Sequence, residues 1–186
     1  MTSKLIKTHH ILFIVQFIVF TIYFRTKGDF SRLSEGCLDW NYRRHLLRHE
    51  ILQYNPDIIT LHEVDHYYDF FLPDLSKRGY IGVFAPKPMS QCLEVSDRSD
   101  GSCIFIKAKI LSIISTQIFP FATADADDGT EEYYTVNKMK INNKLYPRSK
   151  QRRQQNQVCI IIVCQLNEFE NSPPIIIATA SLKTGE

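Results

Sequence analysis

Glu63, followed by Asp65, is the first candidate of this chain for chemistry. The two close the stretch Asp57-Ile-Ile-Thr-Leu-His-Glu-Val-Asp65, whose apolar run directly follows a helical pattern and reads as an inner strand. A carboxylate inside a sheet is unfavourable unless something pairs with it. At the C-terminal end of a strand it faces the crevice where open α/β sheets bind ligands. Hard oxygen donors of this kind suit magnesium, which keeps several waters and takes one or two carboxylates. Taken alone, the same acids also read as a cluster capping the next helix, and both readings stand at this point. Lys87 lies in Pro-Lys-Pro, where the prolines stiffen the backbone; by itself it reads as a solvated loop lysine. Asp100-Gly101 reads as a plain turn.

The elements that would carry these residues alternate between helix and strand, then turn mostly to strands. Trp40, Leu47, Ile51 and Tyr54 recur at helical spacing, which predicts a helix over 39–54 with that stripe inward. Asn55-Pro56 ends it, because the residue before proline avoids helical angles. The strand at 57–64 follows. Asp65 is placed to cap a second helix over 66–77, which stops at Gly79. Residues 80–84 form a third extended piece. Beyond the polar loop 94–101, the runs 103–107 and 110–118 are close enough to form a hairpin. Two more strands are expected at 158–166 and 175–182. Between them and the hairpin, 122–155 carries clustered acids, then clustered bases with Asn and Gln, and reads as a long mobile insertion. Its basic half reads as a solvated loop rather than a nucleic-acid contact. The order implies an α/β layered domain with a mixed sheet.

Composition sets outer limits. Hydrophobic residues make up 44% of the 186, enough for one domain with a proper core. The net charge of +2 is too small to argue for nucleic acid. The five cysteines, at 37, 92, 103, 159 and 164, are odd in number and lack tight spacing; they read as reduced, packed thiols, not as a disulfide framework or a zinc site. The apolar stretch 11–24 is flanked by Lys4, Lys7, Arg25 and Lys27, is shorter than the roughly 20 residues of a membrane span, and lacks a small-x-small cleavage site. It is open to three readings: a signal anchor that brings the chain to a membrane, a buried edge of the domain, or a start foreign to a domain spanning 27–186.

The motifs are more specific together than apart. Tyr54-Asn-Pro-Asp-Ile-Ile59 and Leu61-His-Glu-Val-Asp65 resemble the QPDIxxLQEVD block of the endonuclease/exonuclease/phosphatase superfamily, which has the deoxyribonuclease-I-like fold. Leu75-Ser-Lys-Arg-Gly-Tyr80, Phe84-Ala-Pro-Lys-Pro88, Cys92-Leu-Glu-Val95 and Asp100-Gly101 resemble its nocturnin branch, as do Lys27-Gly-Asp-Phe30 and Cys37-Leu-Asp-Trp40 before them and Asn156-Gln-Val158 after. The resemblance covers about 27–120 and 156–183. It implies a partial four-layer α/β/β/α sandwich, incomplete at its C-terminus. It implies that Glu63 is a catalytic residue and the ligand of Mg2+, which would polarise a phosphoryl oxygen and help activate water. It implies that Lys87 contacts a substrate phosphate, as a compact point charge. The substrate class it carries is NADP(H), losing its 2′-phosphate, or poly(A) RNA, trimmed from its 3′ end; the Pro-Lys-Pro lysine and the lack of an extended basic groove favour the dinucleotide. A monomer in the cytoplasm, with a mitochondrial pool, goes with it.

Departures from the pattern temper this. The family's metal-placing asparagine on its early strand has no counterpart in Gln16-Phe-Ile-Val19; the family's glutamine before the glutamate is His62; the family's Thr-His-Leu-Lys appears as Ala180-Ser-Leu-Lys183, with Ser181 in place of a histidine. The family's Gly-Asp-Phe-Asn and Ser-Asp-His blocks do not occur before Glu186. Losing one preorganised group costs about a hundred- to a thousandfold in rate. The expectation is therefore a hydrolase impaired in this chain, which is expected to aggregate or unfold in part; the rival is an inactive interaction protein or a partial gene product.

Overall fold

In the computed structural model, which describes residues 11–19, 35–88, 90–120, 157–168 and 172–181, the strands divide between two sheets. β1 (Ile14–Ile18), β2 (Ile58–Val64), β3 (Tyr80–Pro86) and β4 (Gly101–Lys107) form one, in the order β1-β2-β4-β3. β1 runs parallel to β2, and the other pairs are antiparallel, so the sheet is mixed. β5 (Leu111–Pro120), β6 (Val158–Leu166) and β7 (Ile175–Ala180) form the second, wholly antiparallel sheet.

β2 and β4 read as continuous apolar runs because the first sheet is covered on both faces. Ile59, Leu61, Cys103 and Phe105 point to the helices. Ile58, Ile104 and Ile106 point to the second sheet, against Leu111, Val158, Ile160, Ile162 and Ile177. The helical layer holds α1 (Glu35–Leu38), α2 (Trp40–Leu52), a π-helical turn (Tyr67–Phe71) and α3 (Leu72–Ser76). Asp39 caps α2 by accepting a hydrogen bond from the Asn41 amide at 2.8 Å. Ile51 is α2's fully buried anchor, and Trp40 stacks flat on His66 at 3.9 Å. The described residues thus supply three layers, helix on sheet on sheet.

Several expectations need correction. Tyr54 lies beyond α2 and is exposed, because Asn55 turns the chain with φ 48° before Pro56. Asp65 does not cap the following helix. His66 holds the cap position without a side-chain hydrogen bond, and the first turn is π-helical. β4 and β5 do not form a hairpin. β4 already has β2 and β3 on its two edges, so the short turn after it carries the chain into the other sheet, where β5 pairs with β6. Within 11–24, Ile14–Ile18 is a strand hydrogen-bonded to β2 and followed by a fully buried Val19, while Ile14 and Ile18 themselves stay exposed. Among the described residues no helix is long and apolar enough to cross a membrane. The expected insertion at 122–155, the stretch 20–34 and the strand end at 182 lie outside the described residues. The five cysteines are free, with Cys164 in the core between the sheets.

Candidate active site

The site begins with a fault in β2. Leu61 pairs with Cys103 and Val64 with Gly101, so His62 and Glu63 together stand opposite Ser102. That extra residue is a β-bulge, a device that re-aims side chains at strand ends. Glu63 takes it up with φ 58°, a left-handed conformation that costs a non-glycine residue about 1 kcal/mol or more and clusters at functional sites. The bulge returns Val64 to the helical face and leaves the Glu63 carboxylate at the sheet's end.

Lys87 meets it there. Its ammonium donates to both Glu63 oxygens at 2.6 Å and pairs with Asp100 Oδ2 at 2.5 Å. The β3–β4 pair makes this meeting unavoidable. Pro86 pairs with Gly101, and the Lys87 amide donates to the Asp100 carbonyl at 2.8 Å, which fixes both Cα positions. Gly101 is required at that approach, because a Cβ there would collide with the Ala85 carbonyl. The Ser90 hydroxyl donates to Asp100 Oδ1, while Ser90 Oγ accepts from the amides of Cys92 and Asp100. The side chains of Glu63, Lys87 and Asp100 are 14%, 11% and 3% exposed, a dry cluster with a rim at Glu63.

Two carboxylates share one ammonium here, and their protonation tendencies separate accordingly. Burial raises the Glu63 carboxyl above its usual range; Lys87 opposes this and nearby Asp100 adds to it. Burial acts the same way on Asp100, but Lys87 and the Ser90 hydroxyl outweigh it and hold that carboxyl low. Burial would lower the Lys87 ammonium, yet Asp100 and then Glu63 hold it above the ordinary lysine value.

Behind Glu63 lies His62, 2% exposed. Its Nδ1 is 3.0 Å from Ser102 Oγ, and its Nε2 is 3.0 Å from both Gln16 Nε2 and Thr179 Oγ1. It therefore joins β1, β2, β4 and β7, across both sheets. Burial and then the Lys87 charge lower its tendency to protonate. A neutral ring suits the Gln16 amide, which donates to Nε2.

The structure brings Glu63 and Lys87 into direct contact with each other. Lys87 is not the solvated loop lysine its neighbours alone suggest. Burial lowers the Arg43 guanidinium's tendency to stay charged, and the charge of Asp65 opposes this. The sequence reading missed Asp100 as a member of the site, and its one signal was the glycine after it. It also gave no sign of the bulge, or of His62 as a junction between sheets. Among the described residues no three His, Cys, Asp or Glu side chains gather to hold a metal. Glu63 is the carboxylate at the rim of its cluster with Lys87 and Asp100, the kind of single protein ligand magnesium takes among waters.

Comparison with known proteins bears on this geometry. A model of the Endonuclease/Exonuclease/phosphatase family matches residues 35–165. The chain belongs to that family. Within it, the chain is 44% identical over 92 residues to Nocturnin of Mus musculus and 41% identical over 92 residues to Nocturnin of Homo sapiens. Each match takes in 48% of this chain and 21% of the relative, so the chain spans only a minor part of their length. The human Nocturnin catalytic domain, solved with a bound sulfate anion, is similar with TM-score 0.58 and 32% identity, over 81% of this chain and 45% of that one. ANGEL2, a 2′,3′-cyclic phosphatase solved with adenosine-2′,3′-vanadate, is similar with TM-score 0.64 over 92% of this chain and 41% of that one; at 19% identity this speaks for the fold alone. The deoxyribonuclease-I-like α/β sandwich expected from the sequence is thus the fold of this family member.

Proposed function

We propose that this chain carries the magnesium and phosphate end of a phosphoester hydrolase of nocturnin type. The observation that carries the reading is the Glu63–Lys87–Asp100 cluster: an ammonium on a stiff Pro-Lys-Pro turn, two carboxylates, and a bulged strand that presents one of them at the rim. Glu63 would hold Mg2+, and bound magnesium supplies charge for a phosphoryl oxygen and for an attacking water. Lys87 binds a phosphate of the substrate, and Asp100 keeps the lysine charged and in place. His62 fixes the backbone before Glu63 by fastening both sheets at that level. The resemblance of the sequence motifs to the nocturnin branch implies NADP(H) or poly(A) RNA as the substrate. The single lysine at the sheet's end suits a terminal phosphate, and so the dinucleotide. We further propose a monomer in the cytoplasm with a mitochondrial pool, as the resemblance implies.

A second reading has its own observations. Gln16 spends its amide on His62, and Ser181 follows β7 where the family has a histidine. Lys87 also covers the only oxygens Glu63 could offer a metal. These favour a protein that binds phosphate without turnover. One assay separates the two: phosphate release from NADPH beside shortening of poly(A), each with magnesium and with EDTA. Magnesium-dependent turnover of either substrate that Glu63→Gln abolishes supports the hydrolase. Its absence, with no magnesium bound in a titration, supports the binding protein.

A further inference from the structure

The same cluster has a second property, which rests on the metal and phosphate reading above. Lys87 Nζ lies 2.6 Å from Glu63 Oε1 and 2.6 Å from Oε2, so it occupies both oxygens at once. A divalent cation on either oxygen would stand within a few ångströms of that ammonium, and the repulsion between them in a dry site is large. The lysine cannot serve as Glu63's ion-pair partner and also reach an outside phosphate. Its backbone is held, by the hydrogen bond its amide donates to the Asp100 carbonyl and by the flanking prolines, so only the side chain can swing. Asp100, clamped by Ser90, stays as a second partner when Glu63 lets go.

We propose that Lys87 is a displaceable counter-cation: it closes Glu63 until a divalent cation takes its place, and the displaced ammonium, tethered by Asp100, then becomes the oxyanion contact. Metal and phosphate binding are coupled through one side chain. By linkage, each ligand strengthens the other by the same factor.

Calorimetric titration of the full chain with magnesium chloride, free of added oxyanions, tests this. Lys87→Gln should bind magnesium about tenfold more tightly than the unaltered chain, the size of effect a close opposite charge has on a carboxylate. Arg98→Gln, which removes a nearby charge that pairs with Asp69 instead, should change the affinity less than about twofold. Equal or weaker binding by Lys87→Gln would overturn the proposal and leave the metal site intact. No binding by any form, or binding indifferent to Glu63→Gln, would remove the metal reading and the proposal with it. A second measurement needs no variant. Lys87 should be protected from an amine-acylating reagent in EDTA, exposed by saturating magnesium, and protected again by added inorganic phosphate; labelling that magnesium leaves unchanged overturns the idea.

Discussion

The two ends of β2 solve one problem differently. At the N-terminal end, Asp57 takes one lysine, Lys107, at 3.3 Å, and a backbone donor, the Phe13 amide, at 3.1 Å. Lys107 also donates to the Asn55 carbonyl and side chain. At the C-terminal end, Glu63 takes a lysine that it must share with Asp100. One end pairs one carboxylate with one ammonium, and its acceptors have local partners; the other gathers two carboxyl groups on one ammonium in a largely buried place. Both ends hold a residue in the left-handed region, but Asn55 belongs to a type that tolerates it and Glu63 does not. Satisfied charge on permissive backbone marks an end built for stability. Two carboxyl groups sharing one ammonium on strained backbone mark the end proposed to take a ligand.

Substitutions can break this contrast. Gly101→Ala should have the largest effect, a loss of about 3 kcal/mol or more in a denaturant melt, because it drives a methyl into the Ala85 carbonyl and parts Lys87 from Asp100. Asp57→Ala should come next, with a loss of about 2–3 kcal/mol, since it strands a partly buried lysine and an amide. Glu63→Gly should go the other way, gaining up to about 1 kcal/mol in the same melt while abolishing magnesium binding, because glycine accepts φ 58° and removes the surplus carboxylate. A loss there as large as at Asp57 would erase the distinction between the two ends. Acid should weaken the fold through His62. Its folded tendency to protonate is depressed, so the stability it contributes is complete above the unfolded imidazole value of 6.5 and is lost as pH falls from there towards the folded value. Thermal melts from pH 8 to 5 should show that fall, and His62→Gln should flatten it. Asn55→Gly should have the smallest effect, within about 0.5 kcal/mol.

The elements that depend on local pattern were legible in the sequence. The apolar run after Pro56 made β2, the helical stripe made α2, and Glu63 fell at the strand's end. What depended on partners was not. A short turn between two strand-like runs has hairpin length, yet whether β5 pairs with β4 depends on β4's edges being free, and β2 and β3 occupy them. A bulge leaves no mark in Leu61-His-Glu-Val64, because it arises from register against Ser102. Asp100 read as a turn residue, since neither its burial nor the lysine it grips lies nearby in sequence. His62 stood out only as a departure from the family's glutamine.

His62 also ties the two described sheets to each other at the level of the bulge. The ring rivets β1, β4 and β7 together one peptide bond from the residue proposed to grip a cation. A pull on Glu63 is therefore a shear across the sandwich, resisted by both sheets, so the rigidity of the grip is a property of the whole stack and not of the strand end alone.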